Sequence, residues 1–198
     1  MYATTRANER NARWVLLLLA GAVVALTLGL YGREHEPAAQ RSTAMLLWTI
    51  NFDSAQAMLQ FKSWFTTLAI LFALAQLVSG LRLRDRIRFP RTVPLWYADF
   101  HRLCGTLALL CTIPVAYHCL WSLGFQSSMS NPRAVVHSLL GCFFYGAFVT
   151  KILAVRVDRL AGWQVPGWLI PVMGGTVLVA LTGVWLTSAG YFFAGRIG

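Results

Sequence analysis

Five long apolar runs alternate with short polar, basic or proline-containing stretches along this chain. A run of about 20 apolar residues has the length that an α-helix needs to cross the hydrocarbon core of a bilayer. The pattern therefore predicts an all-α integral membrane protein, a single bundle of about five transmembrane helices. These helices are predicted at about residues 14–30, 63–81, 99–123, 133–155 and 166–193.

The segment 31–60 is the longest stretch between two predicted helices. Its first half is polar, and its second half is apolar but too short to cross a bilayer. We therefore expect an outer segment that is partly interfacial and packs on the bundle.

The distribution of basic residues predicts the orientation of the bundle. The formal net charge of +10 would suggest nucleic-acid binding in a soluble protein, but basic residues also collect in the cytoplasmic loops of membrane proteins. With the N-terminus in the cytoplasm, twelve of the 17 Lys and Arg residues fall on the inner side. We expect a multi-pass protein of a bacterial cytoplasmic membrane, surrounded by lipid, with the C-terminus outside and no nucleic-acid partner.

Several chemistries have no motif in this sequence. There is no GxSxG, P-loop, GxGxxG, HExxH or CxxCH pattern, which argues against nucleotide binding, hydrolysis and covalent haem. None of the four cysteines forms a CxxC pair, so they are interpreted as small buried residues. The predicted spans contain no buried carboxylate, which argues against a proton-coupled carrier.

Two histidines are placed where a cofactor would be held. His118 lies about five residues before the end of the third predicted helix, and His137 lies about four residues after the start of the fourth. Because the connection between these helices is short, we expect antiparallel neighbours with both imidazoles at one depth, toward the outer face. Haem iron takes axial imidazole ligands from facing helices, so His118 and His137 are the candidate metal ligands of a haem b.

Two further residues belong to the candidate site. Gly141 lies one turn after His137, where a residue without a side chain would let a flat macrocycle approach the backbone. His101 lies near the inner end of the third predicted helix and is interpreted as interfacial, where it would assist quinone or proton binding with Asp99 and Tyr97. A second haem would need another ligand at the depth of His101, so one haem is expected.

The stretches HRLCGTLALLCTIPVAYHCLWSLGF and VVHSLLGCFFYGAFVTKIL resemble a group of small, mostly actinobacterial membrane proteins. This group looks like cytochrome b561-type or ferric-reductase-like membrane cytochromes b, and the resemblance covers about residues 61–193. It implies a haem b bundle that passes electrons between a quinone or inner donor and an outer acceptor. His118 and His137 would be axial ligands, and His101 a residue of a second haem or a quinone site.

Two functions therefore remain open at this point. The first is a cytochrome b-like electron-transfer subunit that works with other membrane or outer-face redox proteins rather than as an independent enzyme. The second is a haem-free accessory subunit of a larger respiratory or other energy-converting complex, in which small residues serve helix contacts. The depth-matched histidine pair favours the first, because the second does not need it.

Overall fold

The chain folds into an all-helical structure in the part that our computed structural model describes. The described residues are 2–34, 52–125, 129–160, 163 and 165–196, with side chains described from residue 13 onward and for all but Ser122. Five of the helices in these ranges are long and apolar enough to cross a membrane, which confirms the predicted class. The helices are α1 (Tyr2–Glu34), α2 (Ala55–Leu83), α3 (Tyr97–His118), α4 (Pro132–Leu160), α5 (Leu169–Thr187) and the short α6 (Ala189–Phe193).

The largest difference from the predicted bounds is at the segment 31–60. Residues 31–34 continue α1, and residues 55–60 form the first turns of α2, so the prediction of a non-spanning segment is wrong at both of its ends. Helix α2 begins early because Ser54 has an extended backbone and its hydroxyl accepts a hydrogen bond from the Ala57 amide at 3.1 Å. The predicted interfacial part, 35–51, lies outside the described residues.

The other helices also differ from their predicted bounds. Helix α3 ends at His118 and is followed by a π-helical turn, Cys119–Leu123, so the predicted 99–123 helix changes its winding near its end. Helix α4 extends through Leu160, because its basic last turns remain helical beyond the apolar run. Helix α5 begins at Leu169 rather than 166 and breaks at Ser188 before α6.

Close packing in the bundle is concentrated in three helix pairs. Helix α2 packs along α3, α4 packs along α5, and α1 packs along α4. The core shared by α2 to α5 is rich in alanine. Small side chains let the helices approach closely, and this packing is needed because lipid is as apolar as the side chains and gives no hydrophobic drive for helices to associate. Its buried members are Ala69, Ala73, Ala108, Phe144, Ala147, Val177, Ala180 and Leu181.

Helices α1 and α4 cross at two glycines. A Cβ on Gly21 would clash with the Thr150 hydroxyl and would lie 2.5 Å from the Gly146 carbonyl oxygen. The close approach also lets Thr150 Oγ1 donate to the Leu17 carbonyl of α1, at 3.1 Å. The outward side of α1 is exposed and apolar, with Val23 and Leu26 at 60% and 66% exposure, as a lipid-facing side must be.

The two ends of the bundle differ in character. We call the end with the Arg84–Trp96 loop and the α4–α5 connection the arginine-rich end. The loop is held there by buried Arg82, whose guanidinium pairs with Asp85 at 2.8 Å and donates to the carbonyls of Pro90 and Arg91. The opposite end, with the α3–α4 connection and the end of α5, is called the histidine-pair end.

Gly21→Ala is expected to destabilise the protein by about 1–3 kcal/mol, because the added methyl group overpacks the α1–α4 crossing. Gly29→Ala is the matched control on the same helix, since its Cβ would meet only Cys142 Sγ at an ordinary 3.8 Å. Thermal unfolding in detergent measures both. Equal melting temperatures for the two variants would contradict the close crossing.

Candidate functional site

The two predicted ligand histidines lie at the same end of the bundle. His118 is the last residue of α3, and His137 is the sixth residue of α4, so both flank the α3–α4 connection. Both histidines therefore lie at the histidine-pair end, on the side of the bundle where α2 begins. Among the ring contacts of the described residues, none joins the two histidines directly.

His137 is held by α5. Its Nδ1 lies 3.0 Å from the Thr187 hydroxyl, and that hydroxyl lies 2.8 Å from the Gly183 carbonyl. Both contacts can be hydrogen bonds at once if Nδ1–H donates to the Thr187 hydroxyl and that hydroxyl donates to the Gly183 carbonyl. In this neutral tautomer Nε2 has the lone pair. Arg133 binds the Thr187 carbonyl at 2.6 Å and fixes the same point of α5.

His118 is in the opposite situation. Its side chain is only 5% exposed, and its Nδ1 is buried without a hydrogen-bond partner among the described residues. The ring edge packs against Phe52, which precedes α2, with the ring centres 5.3 Å apart. Buried polar atoms in native proteins nearly always have a partner, so this Nδ1 is an exception among the described residues.

The space between α3 and α4 is wider than the sequence suggested. The two helices run in opposite directions, as predicted, but each packs closely along a different helix. They meet near mid-span, where Tyr145 donates a hydrogen bond to Thr112 at 3.0 Å. Beyond that contact, toward the histidine-pair end, a Cβ on Gly141 would meet no neighbouring atom within 4 Å, so the space beside this backbone position is open.

His101 lies apart from this pair, as expected, near the start of α3 at the arginine-rich end. Its Nδ1 is 3.0 Å from the hydroxyl of fully buried Ser79 on α2, and its ring packs on Gly80. Asp99, which the sequence grouped with His101, has an exposed carboxylate that pairs with Arg102 at 2.5 Å. Ser79, rather than Asp99, is thus the residue that orients His101.

Three features of these sites could not be read from the sequence. Thr187 and Ser79 are single hydroxyl residues on apolar helices, and nothing in the sequence indicates which histidine each would meet. The π-helical turn after His118 has no sequence signal either, although Pro114 one turn earlier marks an irregular helix. Charge counting alone assigns Lys151 to the inner boundary, but the structure places its side chain among the helices.

The described residues contain no group of three or more His, Cys, Asp or Glu side chains that would hold a metal ion on its own. The four cysteines are free. Cys104 is buried, as predicted for all four, whereas Cys111, Cys119 and Cys142 are half-buried. A metal at this site would therefore have to bring most of its own ligands, as the iron of a haem does.

Fold and site together define a multi-pass α-helical membrane protein with a pair of histidines at one end of its bundle. Residues 14–197 match the profile of DUF6529, described as a family of unknown function, and the chain belongs to that family. No curated protein and no solved structure matches the chain.

Thr187→Val is expected to lower the free energy of unfolding by about 1 kcal/mol, because it removes the hydrogen bond to His137 inside the bundle. Thr106→Val is the control, since the exposed Thr106 hydroxyl bonds only a carbonyl of its own helix. Melting temperatures of the two variants in the same detergent test this. An equal effect of both substitutions would contradict a structural role for the His137–Thr187 bond.

Proposed function

We propose that this protein is a cytochrome b-like electron-transfer subunit that binds one haem b between α3 and α4 at the histidine-pair end, with His118 and His137 as the axial ligands. The observation that carries the proposal is the state of the two imidazoles. His137 is oriented by Thr187 in a way that leaves the lone pair of the neutral imidazole on Nε2, and His118 is buried with an Nδ1 that has no partner among the described residues.

The arrangement around His137 is the one that an imidazole ligand of a metal requires. Such ligands usually donate their other ring N–H to an oxygen, which fixes the tautomer and the ring orientation. Thr187 supplies that oxygen, and its own proton goes to the Gly183 carbonyl, so it cannot compete for Nε2. A histidine that served only to join α4 and α5 would make the same bond. The choice between a metal ligand and a structural histidine therefore depends on His118.

The surroundings of His118 support ligation more than packing. A neutral imidazole could bond a backbone carbonyl or water at a helix end, yet Nδ1 is buried with neither carbonyl nor hydroxyl in reach among the described residues. The edge contact with Phe52 and the following aromatic pair, Phe61 and Phe65, form an apolar surround. Such a surround suits a macrocycle and limits solvent access to it.

The space between the helices supports the same proposal. A haem between α3 and α4 requires these two helices to be apart at the depth of the histidines. Helix α3 packs closely along α2, whereas α4 packs closely along α5 and α1. Gly141, one turn from His137, leaves the backbone open on its side. The resemblance to membrane cytochromes b agrees with this, although the family itself has no assigned function.

Haem b, when bound, supplies reversible one-electron chemistry. The residues of this chain would hold and orient it and exclude water from it. The opposite end has one histidine among its described residues, so we propose that another membrane or outer-face redox subunit completes the electron path.

His118→Ala and His137→Ala are each expected to abolish haem retention, and His101→Ala, the matched control at the opposite end, to leave it unchanged. The measurement is haem per protein in purified variants, from the pyridine haemochrome assay and a reduced-minus-oxidised spectrum with a b-type α-band. Full haem content in both single variants would overturn the ligand assignment. A wild-type protein without haem, purified gently with its partners, would instead favour the accessory-subunit function.

Gly141→Leu is expected to reduce haem content several-fold while leaving the helical fold intact, because the larger side chain would occupy the opening beside His137. Gly141→Ala is the control, since a Cβ there meets no atom within 4 Å. Haem content and the circular dichroism spectrum are compared for both. Unchanged haem binding in Gly141→Leu would show that this side of α4 does not face the macrocycle.

A further inference from the structure

A lysine lies within the membrane-spanning length of α4. Lys151 is nine residues from Leu160, the end of α4 at the arginine-rich end, which is about 14 Å along the axis. Side chains on a helix lean toward its N-terminus, so Lys151 leans away from that end and deeper into the bundle. Ionisable residues inside a span are rare, and most pair with a partner or mark a functional site.

The helices around the Lys151 ammonium group provide only a weak partner. Nζ lies 3.5 Å from Gln76 Oε1 on α2, which is a long contact between a full charge and a neutral amide. A Cβ on Gly174 of α5 would lie 3.9 Å from Nζ, so that side of the ammonium group is bordered by a residue with no side chain. Two of the three ammonium protons have no acceptor identified in the described part of the chain.

The position of Gln76 is also made possible by a glycine. A Cβ on Gly105 of α3 would clash with the Gln76 amide, so the amide can lie against the α3 backbone only because residue 105 has no side chain. Its Nε2 lies against Gly105, while its Oε1 is directed toward Lys151. Three helices therefore contribute to this arrangement through Gln76, Gly105 and Lys151, and α5 adds Gly174.

The region contains no compensating negative charge among the residues that the structure describes. Within those residues the ion pairs are Arg82–Asp85 and Arg102–Asp99, both at the helix ends. The charges that act on neighbouring His101 are those of Lys151, Arg102 and Arg84, all positive. A protonated amine in such surroundings gains most from an oxygen acceptor, above all an anionic one.

We propose that Lys151 and Gln76 form an intramembrane binding site for a lipid-soluble molecule that carries an acceptor oxygen, either a carbonyl or a carboxylate. Its head group pairs with the Lys151 ammonium group over Gly174, and its apolar body extends toward the lipid between the helices. The site lies at the opposite end of the bundle from the histidine pair, and it does not depend on haem binding.

The chain offers a matched control, because it contains only two lysines, Lys62 and Lys151. The experiment measures the melting temperature of the purified full chain in detergent against increasing decylubiquinone, as the carbonyl probe, and oleate, as the carboxylate probe. Ligands that bind the folded state raise its melting temperature with concentration. Each variant is compared with its own ligand-free melting temperature.

Wild type and Lys62→Met are expected to show a concentration-dependent rise with at least one probe. Lys151→Met is expected to weaken the apparent affinity for that probe about tenfold or more, because a charged hydrogen bond is lost. Gly174→Leu is a second variant, which keeps the charge but places a large side chain against the ammonium group, and it should weaken binding similarly. The probe that responds identifies the carbonyl or the carboxylate as the head group.

Two results would overturn the proposal. One is a rise of the same size in wild type, Lys151→Met and Gly174→Leu, which would show binding elsewhere on the bundle. The other is no rise in wild type with either probe, which would leave Lys151 as a structural partner of Gln76. If Lys151→Met does not fold, the comparison of Gly174→Leu with Lys62→Met decides the question.

Discussion

The bundle depends on one constraint, that polar groups within its apolar length must be satisfied by the protein itself. Hydroxyl groups meet it by bonding carbonyls of their own helix, as Thr66 and Ser79 do. Other side chains meet it by joining two helices: Trp185 donates to Thr67, Tyr145 donates to Thr112, and His137 pairs with Thr187. These bonds connect α2 to α5, α3 to α4 and α4 to α5, so satisfying polar groups also fixes which helices are neighbours.

Two polar side chains meet this constraint incompletely, and they lie at opposite ends of the bundle. His118 has a buried ring nitrogen without a partner among the described residues, and Lys151 has only a long contact with Gln76. Because unsatisfied polar groups are costly in apolar surroundings, these are the two groups for which we propose binding partners from outside the chain. The chemistry of the two groups differs, since an imidazole suits a metal and an ammonium group suits an acceptor oxygen.

The number and order of spanning helices could be predicted from the sequence because hydropathy depends only on local composition. That His118 and His137 share one end of the bundle could be predicted because the connection between their helices is short. The hydrogen-bond partner of His137 could not be predicted, because Thr187 is 50 positions away and many other hydroxyl residues lie on these helices. The start of α2 and the end of α3 could not be predicted either. They depend on hydrogen bonds, at the Ser54 cap and in the π-helical turn, and hydropathy carries no information about these bonds.

The separation of the two sites limits how one function could use both. Lys151 and His137 are 14 positions apart on α4, or about 21 Å along its axis, and Tyr145 lies between them facing Thr112. Substitutions at such a distance without shared contacts generally act independently. The same helix also presents these residues to different neighbours, His137 to α5 and Tyr145 to α3, while Lys151 reaches α2. The three contacts on α4 are therefore separate, and a transfer between the sites would need the bound molecules themselves to shorten the distance.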